Sequence, residues 1–455
     1  MTDAPTIRAS LAIEHDSIRP KAAWALETLA SRRGWRLVVS DVDHARRPAA
    51  YGVEIGVGCE GSWLSIPFDA AQWQFTRAEP DATRDPLACA FWWLARVEEQ
   101  LAHQSGDTGA FDEHGRFCSV AAAVAPGVSV LPVDELAHSL LGELEMHPIW
   151  PSQRACAIAV THDIDVPWRW SRQGVRRAAR AIRQSLLSGK VGAALATAMA
   201  MVAAPVWWVM RRDPWCNAAA IARMEAGFGA TSTSYMIAGH HDPHDGHATS
   251  YRRVLKSYAA TVQAAGGEVG LHGSYTASVT DGRIEQERAA LEAASGSNVR
   301  SHRYHYLRHL PARDWPRLEA CGLASDASLG YADNVGYRSG TCHPYRAWDH
   351  ESNCSLNLII IPMPLMDATL EPRYSGVSPG SPEARDLINQ LVASLVRHGG
   401  GASVLWHNDK LRGIDQRQWT RCFRDLMRAG KHAGAWMAPA GEVASAWDAR
   451  FPASR

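Results

Sequence analysis

The chain has 455 residues, 46% hydrophobic and 21% charged, the composition of a globular protein with room for two or three domains. Lys plus Arg and Asp plus Glu each total 47, so no basic surplus argues for nucleic acid as a partner. Nine cysteines are scattered without a CxxC pair, which favours reduced thiols over a disulfide framework.

The opening stretch MTDAPTIRASLAIEHDS lacks the apolar core of a signal peptide, and the expected location is the cytoplasm. Up to about residue 150 the chain carries strand-like pieces, WRLVVSDVD and YGVEIGVG, a helical stretch, PLACAFWWLARVEEQLAHQ, and a turn-rich FDEHGRF. Residues 1–150 therefore read as a smaller α/β domain with a structural or recognition role. Asp112, Glu113 and His114 read as a loop of solvated charges.

From residue 151 to 455 apolar strands alternate with helical segments, the pattern of a parallel sheet with crossover helices. The strands fall at CAIAVTHD, ATSTSYMIAG, GEVGLHGS, NVRSHRYHY, GLASDASLG, LNLIIIPMPLM, GASVLWHND and AWMAPAGEV. About seven or eight such units predict a closed or nearly closed barrel, with chemistry at the carboxyl ends of its strands. The first strand ends in THDID, residues 161–165. Side chains two apart on a strand share a face, so Asp163 and Asp165 point the same way, as a metal ligand beside a general base would. His162 reads as a supporting residue. His272, Arg303, His305, Asp326 and His407 stand at the ends of later strands.

A helical insertion is expected around residues 170–215. Within it Gly192–Met210 runs 19 residues without a charge, flanked by Arg176, Arg177, Arg180, Arg183 and Lys190 before and by Arg211 and Arg212 after. Pro205 and the many alanines argue against a span, leaving a helix packed against the site or a contact with a membrane surface. Residues 240–247, HHDPHDGH, resemble a metal tract in composition. Pro243 and Gly246 make them read as a solvated loop near the barrel mouth.

Six motifs in order carry a family resemblance: THDID at 161–165, GLHGSY at 270–275, RYHYLR at 303–308, DASLGYAD at 326–333, GYRSGTCHPY at 336–345 and LWHN at 405–408. Over about 300 residues the chain resembles the polysaccharide deacetylase domain of carbohydrate esterase family 4, also called the NodB homology domain. Within that family it is most similar to a bacterial branch with THDxD, GLHxSY, RxHYLR and LWHN motifs. DEHGRF at 112–117 resembles a trace of the uncharacterised domain that precedes this branch. The resemblance implies a distorted (β/α)7-8 barrel and removal of an acetyl group from an N-acetylated saccharide.

It further implies Asp163 as general base, Asp165 and His272 as ligands of a divalent metal, zinc, and Arg303 as the residue holding the base. Asp326 would support the catalytic groups, and His407 would protonate the leaving amine. Tyr275, Trp406 and Arg338, all within the motifs, are candidate substrate contacts, with His343 beside them. The family supplies a second metal histidine four residues after the first, where this chain has Thr276. His305, two residues after Arg303 and so on the same strand face, is the replacement. Two other classes remain open: a noncatalytic carbohydrate-binding or scaffold protein on the same barrel, and a metallohydrolase of the amidohydrolase or phosphoesterase type. A cytoplasmic chain acting on a surface polysaccharide would meet a lipid-linked or nucleotide-linked precursor at the inner membrane face. The sequence leaves the oligomeric state open.

Overall fold

Two periodicities alternate along the chain, and in the computed structural model they resolve into two sheets. The structure describes residues 4–11, 13, 16–40, 53–57, 62–142, 144–210, 213–246 and 248–452. The first sheet holds β1 (Thr6–Leu11), β2 (Arg36–Ser40), β3 (Val53–Val57) and β4 (Ser62–Ile66) in the order β2-β1-β3-β4, with α1 (Arg19–Arg32) crossing between β1 and β2. The strands expected at 35–43 and 51–58 correspond to β2 and β3, their outer residues lying outside the described ones. The predicted helix over 86–104 is two helices, α2 (Pro86–Leu94) and α3 (Val97–Gln104). Arg96 between them has a φ of +54°, a left-handed conformation that ends one helix and starts the next. Asp85 caps α2, its carboxylate accepting from the N–H groups of Leu87 and Ala88, with Pro86 at the first helical position. After α4 (Pro132–Leu141) the chain enters the second sheet.

That sheet begins with β5 (Ala157–Ile164). An insertion follows, α5 (Arg172–Leu187), α6 (Val191–Val202) and α7 (Ala204–Val209), then α8 (Ala218–Ala226). Strand and helix alternate from there: β6 (Thr233–Met236), α9 (Ala248–Ala264), β7 (Glu268–Gly273), α10 (Arg283–Ser295), β8 (Ser301–Tyr304), α11 (Pro311–Ala320) and β9 (Ser325–Asp326). A hairpin of β10 (Tyr345–Asp349) and β11 (Cys354–Ile360) is followed by β12 (Leu365–Met366), α12 (Pro372–Ser375), α13 (Pro382–His398), β13 (Gly401–Leu405), α14 (Arg417–His432), β14 (Trp436–Ala438) and α15 (Ala440–Arg450).

The strand order is β10-β11-β9-β8-β7-β6-β5-β13-β12, with β14 beside the first half of β5. All pairs are parallel except the β10–β11 hairpin. The result is a curled α/β half-barrel rather than a closed one: among the described residues no pairing joins β10 to β12. Two strand expectations are corrected. The stretch 322–330 pairs only at Ser325 and Asp326, and LNLIIIPMPLM is split between β11 and β12, as Pro362 and Pro364 lack the N–H a continuous ladder requires. Every residue of β5 is buried, the pattern of a parallel strand covered on both faces.

The apolar core crosses residue 150 without a break. Trp24 of α1 lies 5.3 Å from Trp348 of β10 and 5.6 Å from Phe91 of α2, ring centroid to ring centroid, and aromatic pairs in this range add to area burial. A buried ionic cluster reinforces the joint. The Glu99 carboxylate accepts from Arg96 (2.8 Å) and from Arg338 (2.7 Å to Nε). Arg338 belongs to the loop before β10, so helix α3 and the half-barrel are linked through charges with almost no solvent access.

Among the described residues no helix is long and apolar enough to cross a membrane. The uncharged 192–210 stretch is broken between α6 and α7 at Ala203, and Pro205 sits in the first turn of α7, where its missing N–H costs no hydrogen bond.

Candidate active site

The carboxyl end of β5 places Thr161 and Asp163 on one face, and Asp165 follows just beyond the strand. Asp163 is buried and its Oδ1 accepts from Arg303 Nη1 at 3.0 Å; the same nitrogen donates to Thr161 Oγ1 at 2.8 Å. Arg303 Nε donates to the Ala327 carbonyl at 2.9 Å, and the guanidinium lies 4.6 Å from the Tyr235 ring centre. The arginine is thereby fixed on three sides and fixes the Asp163 carboxylate in turn. His162, on the opposite face, turns away: its Nε2 meets Glu225 of α8 at 2.7 Å and its Nδ1 the Trp406 carbonyl at 2.8 Å. It holds helix to sheet and does not support the carboxylates.

Asp165, His272 and His305 each present one donor atom, all within 4.8 Å of one another. His272 is the penultimate residue of β7, and its Nδ1 lies 3.0 Å from the Arg303 carbonyl. A carbonyl only accepts, so Nδ1 carries a hydrogen, and in the neutral ring the lone pair is then on Nε2. That Nε2 is 3.3 Å from Asp165 Oδ1, yet both atoms are buried without a hydrogen bond. Buried polar atoms left unpaired cost stability, and a divalent cation between them would satisfy both. His305 opens a short turn after β8, with its Nδ1 3.2 Å from the buried Asp245 carboxylate and its Nε2 3.6 Å from Asp165 Oδ2. A carboxylate behind the remote nitrogen is the usual way to orient a ligating imidazole.

One carboxylate and two imidazoles with open positions suit zinc. Thr276 stands at the start of a 3-10 turn and is not part of the group. Tyr306 and Leu307, directly after His305, have φ of +61° and +55°, and such strained non-glycine backbone concentrates at functional sites.

His407 follows β13. Its Nδ1 lies 2.7 Å from Asp367 Oδ1, its backbone N–H donates to Asp367 Oδ2 at 2.7 Å, and its Nε2 faces Asp165 at 3.5 Å. Burial disfavours its protonation, but Asp367, aided by Asp165 and Asp163, outweighs burial and lifts His407 to about 10. Asp367 is held below the usual carboxylate range despite its own burial, by the His407 charge and hydrogen bond and by Lys410. For His305, burial is again overcome, here by Asp165 and Asp245, and its pKa is raised to about 9.

The other sequence-derived candidates separate. Tyr275 lies at the rim: it stacks on His244 at 4.1 Å, its hydroxyl meets His114 Nδ1 at 3.0 Å, and Arg308 sits 4.5 Å from its ring centre. The loop of Asp112 and His114 is therefore not merely solvated, since it closes one side of this rim. Asp326 does not reach Asp163 or the ligand group; it pairs with His302 Nδ1 at 2.8 Å and Ser328 Oγ at 2.6 Å. Trp406 is wholly buried against Phe423 and packs the core instead of a substrate. Arg338 spends its donors on Glu99 and the Gly330 carbonyl, and His343 is buried with its Nε2 3.0 Å from the His398 carbonyl. These three are structural because burial leaves them no surface to offer a saccharide.

Asp245 and Asp367 escaped the sequence reading. Asp245 sits inside HHDPHDGH, where it also accepts from the N–H groups of His241 and Asp242 (3.1 Å each) and of Tyr275 (2.7 Å), so that the tract contributes a buried carboxylate and not only a solvated loop. Asp367 follows the apolar LNLIIIPMPLM, the same acid-after-strand signal that marks THDID.

No family model matches the chain, and no curated protein matches it. Among solved structures it is similar to a protein named as a polysaccharide deacetylase from Mycobacterium smegmatis, at 15% identity and a TM-score of 0.42, covering 68% of this chain and 97% of that one. Puue allantoinase is similar at 15% identity and a TM-score of 0.42, covering 69% and 97%. A protein named as a polysaccharide deacetylase from Pseudomonas aeruginosa PAO1 is similar at 14% identity and a TM-score of 0.43, covering 68% and 96%. Likenesses this distant assign no activity; what the site can do rests on its own geometry.

Proposed function

We propose that this chain is a metal-dependent deacetylase-type hydrolase that releases acetate from an N-acetylated sugar of a polysaccharide or its precursor. The observation that carries the reading is the convergence on one strand-end face of an arginine-held carboxylate, an unpaired carboxylate–imidazole group and a carboxylate-backed histidine. A bound zinc ion would polarise the acyl oxygen and ease ionisation of water. Asp163, clamped by Arg303, takes the proton of the water that attacks the acetamide carbon. His407, kept cationic by Asp367, gives its proton to the amide nitrogen as the C–N bond breaks, leaving acetate and a free amine. Asp165, His272 and His305 are the ligand set, with Asp245 orienting His305. The sequence motifs support the same assignment of Asp163, Asp165, His272, Arg303 and His407.

Acetate release from a panel of N-acetylated saccharides, wild type against Asp163→Asn, tests the reading. Release by the wild type that Asp163→Asn reduces by roughly 10²- to 10⁴-fold is expected. Saccharide binding without acetate release from any member would replace it with a noncatalytic binding role.

A further inference from the structure

The insertion between β5 and α8 is built inside out for a water-facing element. α6 and α7 turn their small residues inward: Ala194, Ala200 and Ala204 are buried, the last two packing with Ala178 and Trp170. Their large residues face outward, with Leu195 59%, Met199 58%, Val202 80%, Val206 58% and Val209 85% exposed. These recur at the spacing of a helix face, which in a soluble helix would carry the polar residues. Leu186, Leu187 and Val191 extend the patch across the α5–α6 turn. Contiguous apolar surface of this kind marks an interaction site.

Charge identifies the occupant. Between Asp165 and Asp213 there is no Asp or Glu, while eight Arg and one Lys fall in the same stretch. The chain as a whole is neutral, so the rest of it carries the compensating acidic excess. Arg176, Arg177, Arg180, Arg183 and Lys190 are exposed on the same hairpin as the apolar stripe. A stripe of Leu, Met and Val beside basic side chains fits the boundary between acyl chains and anionic headgroups. A second copy would instead set like-charged hairpins against each other. Among the described residues no helix is long and apolar enough to span, so the contact proposed is with the surface of the bilayer.

The hairpin leaves the carboxyl end of β5 directly after Asp165, α6 packs against the Ile414–Gln416 turn, and the Arg412 guanidinium lies 5.4 Å from the Trp207 ring centre. This seats it beside the loop that carries His407. We propose that α5–α7 docks the protein on an anionic lipid surface and so holds the strand-end site at the headgroup layer. Resting on the deacetylase reading, this deepens it: the saccharide acted on is one linked to lipid.

Flotation of the full chain with vesicles of phosphatidylcholine, alone or mixed with phosphatidylglycerol, tests docking without any substrate, so its outcome is independent of activity. Binding to the mixed vesicles that weakens with salt is expected. Both Val202→Asp/Val209→Asp and Arg176→Gln/Arg177→Gln/Arg180→Gln/Arg183→Gln should reduce it by about ten-fold or more. Thermal unfolding like that of wild type would show that the variants fold, as expected at exposed positions. A chain that stays unbound with the mixed vesicles, or variants that bind undiminished, would overturn the proposal. So would a dimer in light scattering that Val202→Asp/Val209→Asp converts to monomer, because it would give the stripe to a second copy.

Discussion

Among the described residues two clusters have the residue types of a metal site, and only one is arranged to use them. Asp165, His272 and His305 stand at the mouth of the half-barrel; Asp134, Cys342 and His343 lie under the N-terminal elements, all buried. In the first, His272 Nε2 and Asp165 Oδ1 are unpaired, and each imidazole is oriented by an acceptor on its far nitrogen. In the second, the Asp134 oxygens already accept from Thr341 Oγ1 at 2.6 Å and from the Cys342 N–H at 2.8 Å, and Arg32 Nε stands 3.5 Å away. A cavity of about 280 Å³ beside it is lined by Arg32, Arg33 and Arg397 together with Glu135, His138 and His398. Burial, with Asp134 beside it, pushes the Cys342 thiol well above its ordinary range, so it stays neutral. The difference lies in whether the carboxylate's charge is still available. At Asp134 it is spent on a guanidinium, and a second cation would meet repulsion.

The sharpest test of that contrast is metal content. Asp165→Ala is expected to leave the purified protein without bound zinc, while Cys342→Ser keeps it, both read by elemental analysis of the folded chain. Zinc lost from Cys342→Ser and retained by Asp165→Ala would reverse the comparison. Catalysis should follow the half-barrel mouth: His407→Ala, whose side chain faces Asp165, should lower kcat roughly 10²- to 10⁴-fold, with Cys342→Ser near wild type.

The second cluster's neighbourhood should matter for stability instead. Glu99, between Arg96 and Arg338, sits where burial would raise its pKa, yet Arg338 and Arg96 together hold it down to about 2. A depressed acid contributes stability that is present above its unfolded value near 4.5 and is lost as pH falls toward about 2. That contribution is about 3 kcal/mol from the shift itself. Arg338→Met, which leaves Glu98 and Glu99 to share the single Arg96 guanidinium, should cost about 3–5 kcal/mol in chemical denaturation without changing zinc content. An unchanged unfolding midpoint would mean that the linkage between α3 and the loop before β10 contributes little.

Asp245 tests the contrast more finely. Asp245→Asn keeps all three ligands but weakens the acceptor behind His305, and zinc affinity should fall about 10- to 100-fold. An affinity equal to wild type would remove Asp245 from the site.

The sequence exposed one of these clusters and hid the character of the other for a physical reason. Asp163, Asp165, His272, Arg303 and His407 follow apolar strands, and period two tells which share a face; the parallel half-barrel then gathers them. Asp245 and Asp367 reach the site through loops, whose course no periodicity records. Trp406 and Arg338 lie inside motifs as well, but burial decided their roles, and burial of a single position depends on which distant segment covers it. For Arg338 that segment is α3, 239 residues away. The break at Arg96 is related: nothing in PLACAFWWLARVEEQLAHQ marks a helix end, and the left-handed turn is held locally by Arg96 on Glu98 and Glu99, of which Glu99 is itself held by the distant Arg338.

The smallest expected effect bears on the His407–Asp367 dyad that faces the half-barrel cluster. His407 is protonated through neutral pH because Asp367 and the neighbouring carboxylates outweigh its burial. A general acid is lost as pH rises through its pKa, so activity should fall on the alkaline side in the range of His407. Asp367→Asn removes the largest stabiliser of the cation while leaving a side chain of the same shape. The histidine should then titrate nearer its ordinary value, and the alkaline limb of kcat should move to lower pH, with a loss at neutral pH smaller than that of His407→Ala. An alkaline limb that stays in place would mean that the proton given to the amine comes from a group other than His407. The Asp367 carboxylate would then be a backbone anchor for the turn after β13, since it also accepts from the His407 N–H.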